Sequence, residues 1–179
     1  VHARGQVAHF HSDLLTIPAD RDTRALNAWL PQDVRILSSS EASPGFHCRF
    51  DARSRFYRYF IVVNRPSFAH ELRYAWQLWH SVDLERLNLL ASCLKGEMDC
   101  SFFTCARDQS RSRTRYIYHS RFVQEGSLLV YEIEANAFLL RMVRSVVGTL
   151  IHASKEGMNP EAFSSLVASG NRDLSGPTA

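Results

Sequence analysis

The stretch NAFLLRMVRSVVGTLI, residues 136–151, decides how this chain is read. Its apolar residues Phe138, Leu139, Met142, Val143, Val146, Val147, Leu150 and Ile151 follow the i, i+3, i+4 spacing of a helix with a wide buried face. Asn136 stands where a helix cap is expected. The other face carries Arg141, Arg144, Ser145 and Gly148, with no acid among them. Both arginines fall in the N-terminal half of the expected helix, where the macrodipole disfavours cations. Two uncompensated cations there point to an anion supplied from elsewhere; a solvated arginine pair is the plainer alternative.

Working outward, residues 116–123 alternate like a strand, QEGS at 124–127 makes a turn, and 128–134 pairs back as a hairpin leading into the helix. Ahead of the hairpin, residues 107–121 hold Arg107, Arg111, Arg113, Arg115 and Arg121 against one acid, Asp108. Residues 82–94 read as a helix, with Leu84, Leu87, Leu90 and Leu94 at helical spacing and Ser81 or Asp83 as cap. The aromatic-rich run 74–80 is ambiguous in type. After the central helix, Pro160 opens a last short one over 160–169.

Further upstream, PGFHCRFDARSRFYRYFIVV at 44–63 interleaves arginine with aromatics. Alternation from Phe56 onward puts Tyr57, Tyr59 and Ile61 on one face and Phe56, Arg58 and Phe60 on the other. Such a stripe is ordinary for a sheet with one aromatic face. It also suits RNA, where arginines hold phosphate and aromatics stack on exposed bases. Residues 6–10 and 33–38 read as short strands, and 17–30 as a helix ended by Pro31. SSSEASPG at 38–45 is the most linker-like segment and marks the expected boundary, giving parts 1–45 and 46–179.

Composition narrows the class. The 179 residues are 45% hydrophobic, enough for a packed core, with a formal net charge of +3. Cys48, Cys93, Cys100 and Cys105 lack metal-finger spacing and read as reduced thiols. No run is long and apolar enough to span a membrane. Hairpins with helices between them predict an α+β fold, and neither standard Gly-rich phosphate loop is present. Val1 and the loop-like SGPTA at 175–179 both read as cuts through a longer protein.

Four blocks then carry a resemblance. VHARGQVAHF at 1–10, LNAWLPQDVRI at 26–36, FHCRFDARSRFYRYFI at 46–61, and the region from DCSFFTCARDQSRSRTRYIYHSRF through EANAFLLRMVRSVVGTLI at 99–151 are similar, in order, to the TruA-type tRNA pseudouridine synthases. The resemblance implies two related α+β halves sharing a mixed, mostly antiparallel sheet, with a basic cleft between them and helices alongside. It implies a cytoplasmic homodimer, with no metal and no cofactor. Its substrate would be the tRNA anticodon stem-loop, isomerised from uridine to pseudouridine at tRNA positions 38, 39 and 40. Arg144 matches the arginine that pairs with the catalytic aspartate. Tyr57 matches the tyrosine that stacks on the target uracil, and Arg107, Arg111, Arg113 and Arg115 would lie along the RNA path. His47 and Arg49 match a family block and are read as structural first.

The departure lies at the nucleophile. In the family it stands in an Arg-Thr-Asp-Ala-Gly motif just ahead of the residues matching Val1-His2, and that motif is not in this sequence. Asp13, Asp20 and Asp22 do not match it. The chain alone is therefore expected to be inactive. Where the family often has histidines, this chain has Leu140-Arg141. Two other readings stay open: an RNA-binding module of the same fold without chemistry, and an α+β scaffold whose arginines are ordinary surface.

Overall fold

The computed structural model describes residues 3–13 and 18–179, which form two compact units, 1–52 and 53–179. In the first unit, a 3-10 turn at Ala19–Arg21 runs into helix α1, Asp22–Trp29. The Leu30 N–H closes the helix on Leu26, just ahead of Pro31. Ile17, the expected helix start, lies outside the described residues. The strands expected at 6–10 and 33–38 do not form. Backbone groups of Ile36 bond instead to the Asn27 side chain, 2.9 Å in both directions. Val7, Phe10, Trp29 and Leu37, apolar residues of the expected strands and helix, are exposed, Trp29 at 92%. None of the described residues of this unit is buried, so its apolar residues have no core within the unit to face.

The second unit is built on one five-stranded sheet ordered β2-β1-β5-β4-β3. The strands are β1 Arg55–Val63, β2 Ala75–Leu78, β3 Gly96–Asp99, β4 Thr114–Glu125 and β5 Leu128–Ala135. Only β1 and β2 run parallel; β1·β5, β5·β4 and β4·β3 are antiparallel. The run 74–80 thus resolves as a strand, and β3 is one that the sequence pattern did not reveal. Gly126, at φ 55°, opens the two-residue turn of the β4–β5 hairpin, where a side chain would be strained. The sheet and its helices match the α+β expectation.

Helices α2 Leu84–Ser92, α3 Met142–Lys155 and α4 Pro160–Ala168 close over one sheet face. Asp83 caps α2 by accepting the Arg86 N–H at 3.0 Å, and Asn159 caps α4 by accepting the Ala162 N–H at 2.8 Å. Met142, Val146, Val147 and Leu150 of α3 are fully buried with Ile61, Tyr131 and Ile133 of the sheet and with Phe102, Phe103 and Phe163. Each such side chain contributes about 1.5–3 kcal/mol through removal of apolar surface from water. Within this core the Ser120 and Tyr131 hydroxyls bond each other at 2.8 Å.

The opposite sheet face carries charge. Glu132 on β5, 8% exposed, is held by Arg58 of β1 at 3.1 Å and Arg121 of β4 at 2.9 Å, with His119 at 3.6 Å. Burial pushes its carboxyl up, but the two guanidinium groups outweigh it and hold it below the usual range.

The central helix corrects one expectation. It starts at Met142, with Arg141 rather than Asn136 at the cap position, five residues later than the pattern suggested, and runs to Lys155. Asn136 does not cap it. Its Oδ1 accepts the Tyr116 N–H at 3.1 Å, its own N–H donates to the Tyr116 carbonyl, and its carbonyl accepts from Arg55. Asn136 thus closes the end of the sheet. Arg141, at φ 63°, makes the left-handed bend from which the helix departs.

Candidate functional site

The late start of α3 sharpens the charge argument. Arg144 is now the third residue of the helix, whose first turn holds no acid and has no side-chain cap. Among the described residues no Asp or Glu side chain pairs with its guanidinium. Its Nε donates to the Ala179 carbonyl, and the Ala179 N–H donates to the Arg144 carbonyl at 3.2 Å. Tyr59 stands beside the same guanidinium. Burial raises the Tyr59 phenol, and Arg144 opposes the rise.

Tyr57 lies two residues before Tyr59 on β1, so both side chains share the face from which Ile61 enters the core. Tyr57 is 39% exposed, and its ring meets that of Phe138 edge-on at 4.9 Å. Alternation along β1 therefore puts Tyr57 and Tyr59 on the correct side. Sequence reasoning does not single out Tyr59 as a site residue, although its position two residues from Tyr57 is signal enough.

Arg107, Arg111 and Arg113 are exposed on the segment leading into β4. Arg115, half-buried at the start of that strand, donates from Nη1 to the Ser112 and Thr114 carbonyls at 2.9 and 2.7 Å. Its Nε is buried with no partner among the described residues. Asp108 carries this segment to the central helix: its Oδ2 accepts the Leu140 N–H at 2.7 Å. The lead-in to α3 thus touches Tyr57 through Phe138 and the arginine segment through Leu140. Sequence reasoning counts Asp108 only as a lone acid among arginines.

His47 sits in the first unit, where its ring nitrogen accepts the Arg49 and Phe50 N–H groups at 3.3 and 3.4 Å. That arrangement shapes a local turn. All four cysteines are free, and burial pushes the Cys100 thiol up to about 11. Among the described residues no group of three or more His, Cys, Asp or Glu side chains is placed to hold a metal. No helix among them is long and apolar enough to cross a membrane.

Chemically, the arrangement offers a guanidinium at a helix start without an Asp or Glu partner among the described residues, beside Tyr59, while the lead-in to the same helix touches Tyr57 and the cationic segment. Such a set can hold an anion in place and stack on a planar ring. A family profile described as tRNA pseudouridine synthase matches residues 90–179. The chain is 45% identical over 179 residues to tRNA pseudouridine synthase A of Treponema denticola, covering all of this chain and 67% of that protein. It is 42% identical over 177 residues to the protein of the same name from Treponema pallidum, covering 63% of it. Identity to that of Moorella thermoacetica is 36%, covering 72%. The chain thus spans about two thirds of the length of these relatives.

Proposed function

This chain belongs to the tRNA pseudouridine synthase family, and we propose that the protein it comes from isomerises uridine to pseudouridine in tRNA. The observation that carries the reading is Arg144, a cation in the first turn of a helix with no Asp or Glu partner among the described residues. A catalytic carboxylate in a dry pocket would be driven towards its neutral form by desolvation, and an adjacent guanidinium would keep it ionised. Arg144 takes that role, paired with an aspartate lying outside this sequence.

The rest follows from the reaction. A uracil in a stem-loop must leave the stack before an enzyme can reach its C5 and N1. Tyr57, exposed and braced by Phe138, stacks on the displaced base. Arg107, Arg111, Arg113 and Arg115 hold the phosphates of the strand that delivers it. Cleavage of the N1 glycosidic bond and reattachment at C5 leave N1 with a proton and release the C5 hydrogen to solvent. The anticodon stem-loop, at tRNA positions 38, 39 and 40, is the proposed substrate region. A cytoplasmic homodimer is the proposed working form, with residues 1–45 belonging to one half of the fold and 46–179 to the other.

Tritium release tests the reading directly. The product of the complete coding region, given tRNA labelled at uracil C5, should liberate tritium and leave pseudouridine in the anticodon stem-loop. A second reading is an RNA-binding module of the same fold without chemistry. Salt-sensitive tRNA binding without tritium release would select it over the enzyme.

A further inference from the structure

Helix α3 is crossed by the backbone of residues 175–179. A Cβ placed on Gly148 would stand 1.7 Å from the Pro177 carbonyl oxygen and 3.1 Å from the Ala179 nitrogen. A Cβ on Gly176 would stand 2.8 Å from the Thr149 Cα and 2.9 Å from the Gly148 carbonyl oxygen. Gly148 lies inside a regular helix, where glycine is about 1 kcal/mol less favourable than alanine. Its backbone does not need a left-handed bend, so the space occupied by the crossing chain is what excludes a side chain.

The crossing segment is held at both ends. Gly176 donates its N–H to the Thr149 hydroxyl at 3.2 Å, and Thr149 is 1% exposed. At the other end, Ala179 takes the Arg144 Nε–H and returns its own N–H to the Arg144 carbonyl. Arg144 precedes Gly148 by four residues, one turn along the same helix face. The guanidinium is therefore tied to a strap of backbone that only a side-chain-free α3 surface can seat.

We propose that Gly148 is a positioning residue for Arg144: it seats residues 175–179 as a strap on α3, and the strap fixes the direction in which the guanidinium points. With Nε held by Ala179, a carboxylate is left the edge formed by Nη1 and Nη2. This deepens, and rests on, the reading of Arg144 as the partner of a catalytic carboxylate.

Two readouts on the full-length protein separate the strap from the chemistry. The Arg144 Nε–H, observed by nitrogen-15 NMR, should exchange slowly with solvent in the wild type and lose that protection in Gly148→Ala. Single-turnover pseudouridine formation should fall about a hundredfold, since small misplacements at a reacting centre cost that much, while the tRNA Kd stays within about twofold. Wild-type exchange and rate in Gly148→Ala would overturn the proposal. Should that variant fail to fold, Thr149→Val removes the acceptor of the Gly176 N–H at nearly constant volume, and Thr149→Ser keeps it. Loss of Nε–H protection with a rate about tenfold down in the valine variant, recovered in the serine variant, supports the strap. Unchanged protection in Thr149→Val refutes it. A wild type that forms no pseudouridine, yet loses Nε–H protection on Gly148→Ala, would refute the catalytic reading and leave the strap standing.

Discussion

The Asp108 carboxylate accepts the Leu140 backbone N–H at 2.7 Å, so the one acid within an arginine-rich segment is committed to the turn that launches α3. Its other oxygen accepts the Ser110 N–H at 2.9 Å. These N–H donors, Leu140 foremost, hold its carboxyl below the ordinary range. A carboxyl depressed in the folded state adds stability above its unfolded value of about 3.9 and loses it as pH falls through the lower folded value. Asp108→Ala should therefore lower the denaturation midpoint at about pH 7, with the gap closing as pH drops below about 3.9. A gap of constant size down to strong acid would rule out the ionised carboxylate as its source.

Arg144→Ala, in the full-length protein, is expected to cut turnover by at least about a hundredfold while the tRNA Kd moves less than about threefold. Arg144→Lys keeps the charge but not the planar fork and should recover only part of the loss. Steady-state kinetics beside filter binding checks both. Normal turnover in the alanine variant would remove Arg144 from the active site.

Tyr57 offers a cleaner separation of roles, because its exposed ring carries little of the core. Tyr57→Ala should change stability by no more than about 0.5–1 kcal/mol and slow the reaction more than it weakens binding. Tyr57→Phe keeps the ring, so a recovered rate assigns the effect to stacking and a persistent defect assigns it to the hydroxyl. A Tyr57→Ala enzyme running at the wild-type rate would reduce the residue to sheet surface.

The arginine segment makes an electrostatic prediction. Replacing Arg107, Arg111 or Arg113 singly by Gln should weaken tRNA binding and flatten the plot of log affinity against log salt by about one unit for each phosphate left without its cation. Arg115→Gln should also lower stability, because its Nη1 holds two carbonyls at the start of β4. Salt slopes identical to wild type would place the RNA path elsewhere.

Tyr131→Phe tests the core without touching the site. The substitution leaves the Ser120 hydroxyl, 2% exposed, with no phenol to bond. An unsatisfied buried hydroxyl costs about 1–3 kcal/mol, which urea denaturation resolves. The double change with Ser120→Ala should restore much of that loss, since it removes both polar partners together.

Sequence pattern reveals the central helix, the hairpin before it and the face assignment along β1, because in each case one side of a regular element packs on a core. The same logic fails in the first unit: the imperfect alternation at 6–10 and the apolar run at 33–38 form no strand among the described residues. The start of α3 is misread for another reason. Asn136 is a good cap by residue type, yet its side chain bonds Tyr116 across the sheet, which spacing along one segment does not reveal. Nor does pattern expose the Gly148 crossing, since it joins residues almost thirty positions apart through backbone alone. Arg144 and Tyr57 are singled out by family resemblance and Tyr59 by its position two residues from Tyr57, while the bond from Asp108 to Leu140 needs three dimensions.

The cluster around Glu132 bears on how the chain finds its sheet. Glu132 faces Arg58 and Arg121 across the two ladders of the central strand. A one-residue slip of β5 would turn the carboxylate towards the apolar layer, away from both cations, and bring the neighbouring Tyr131 or Ile133 out among them. Each misaligned pairing would strand an ion in hydrocarbon, a far larger penalty than the exposure of a few apolar side chains. The charged triad therefore acts as an alignment key during folding, rejecting wrong registers that the near-continuous hydrophobic run of β5 would otherwise tolerate.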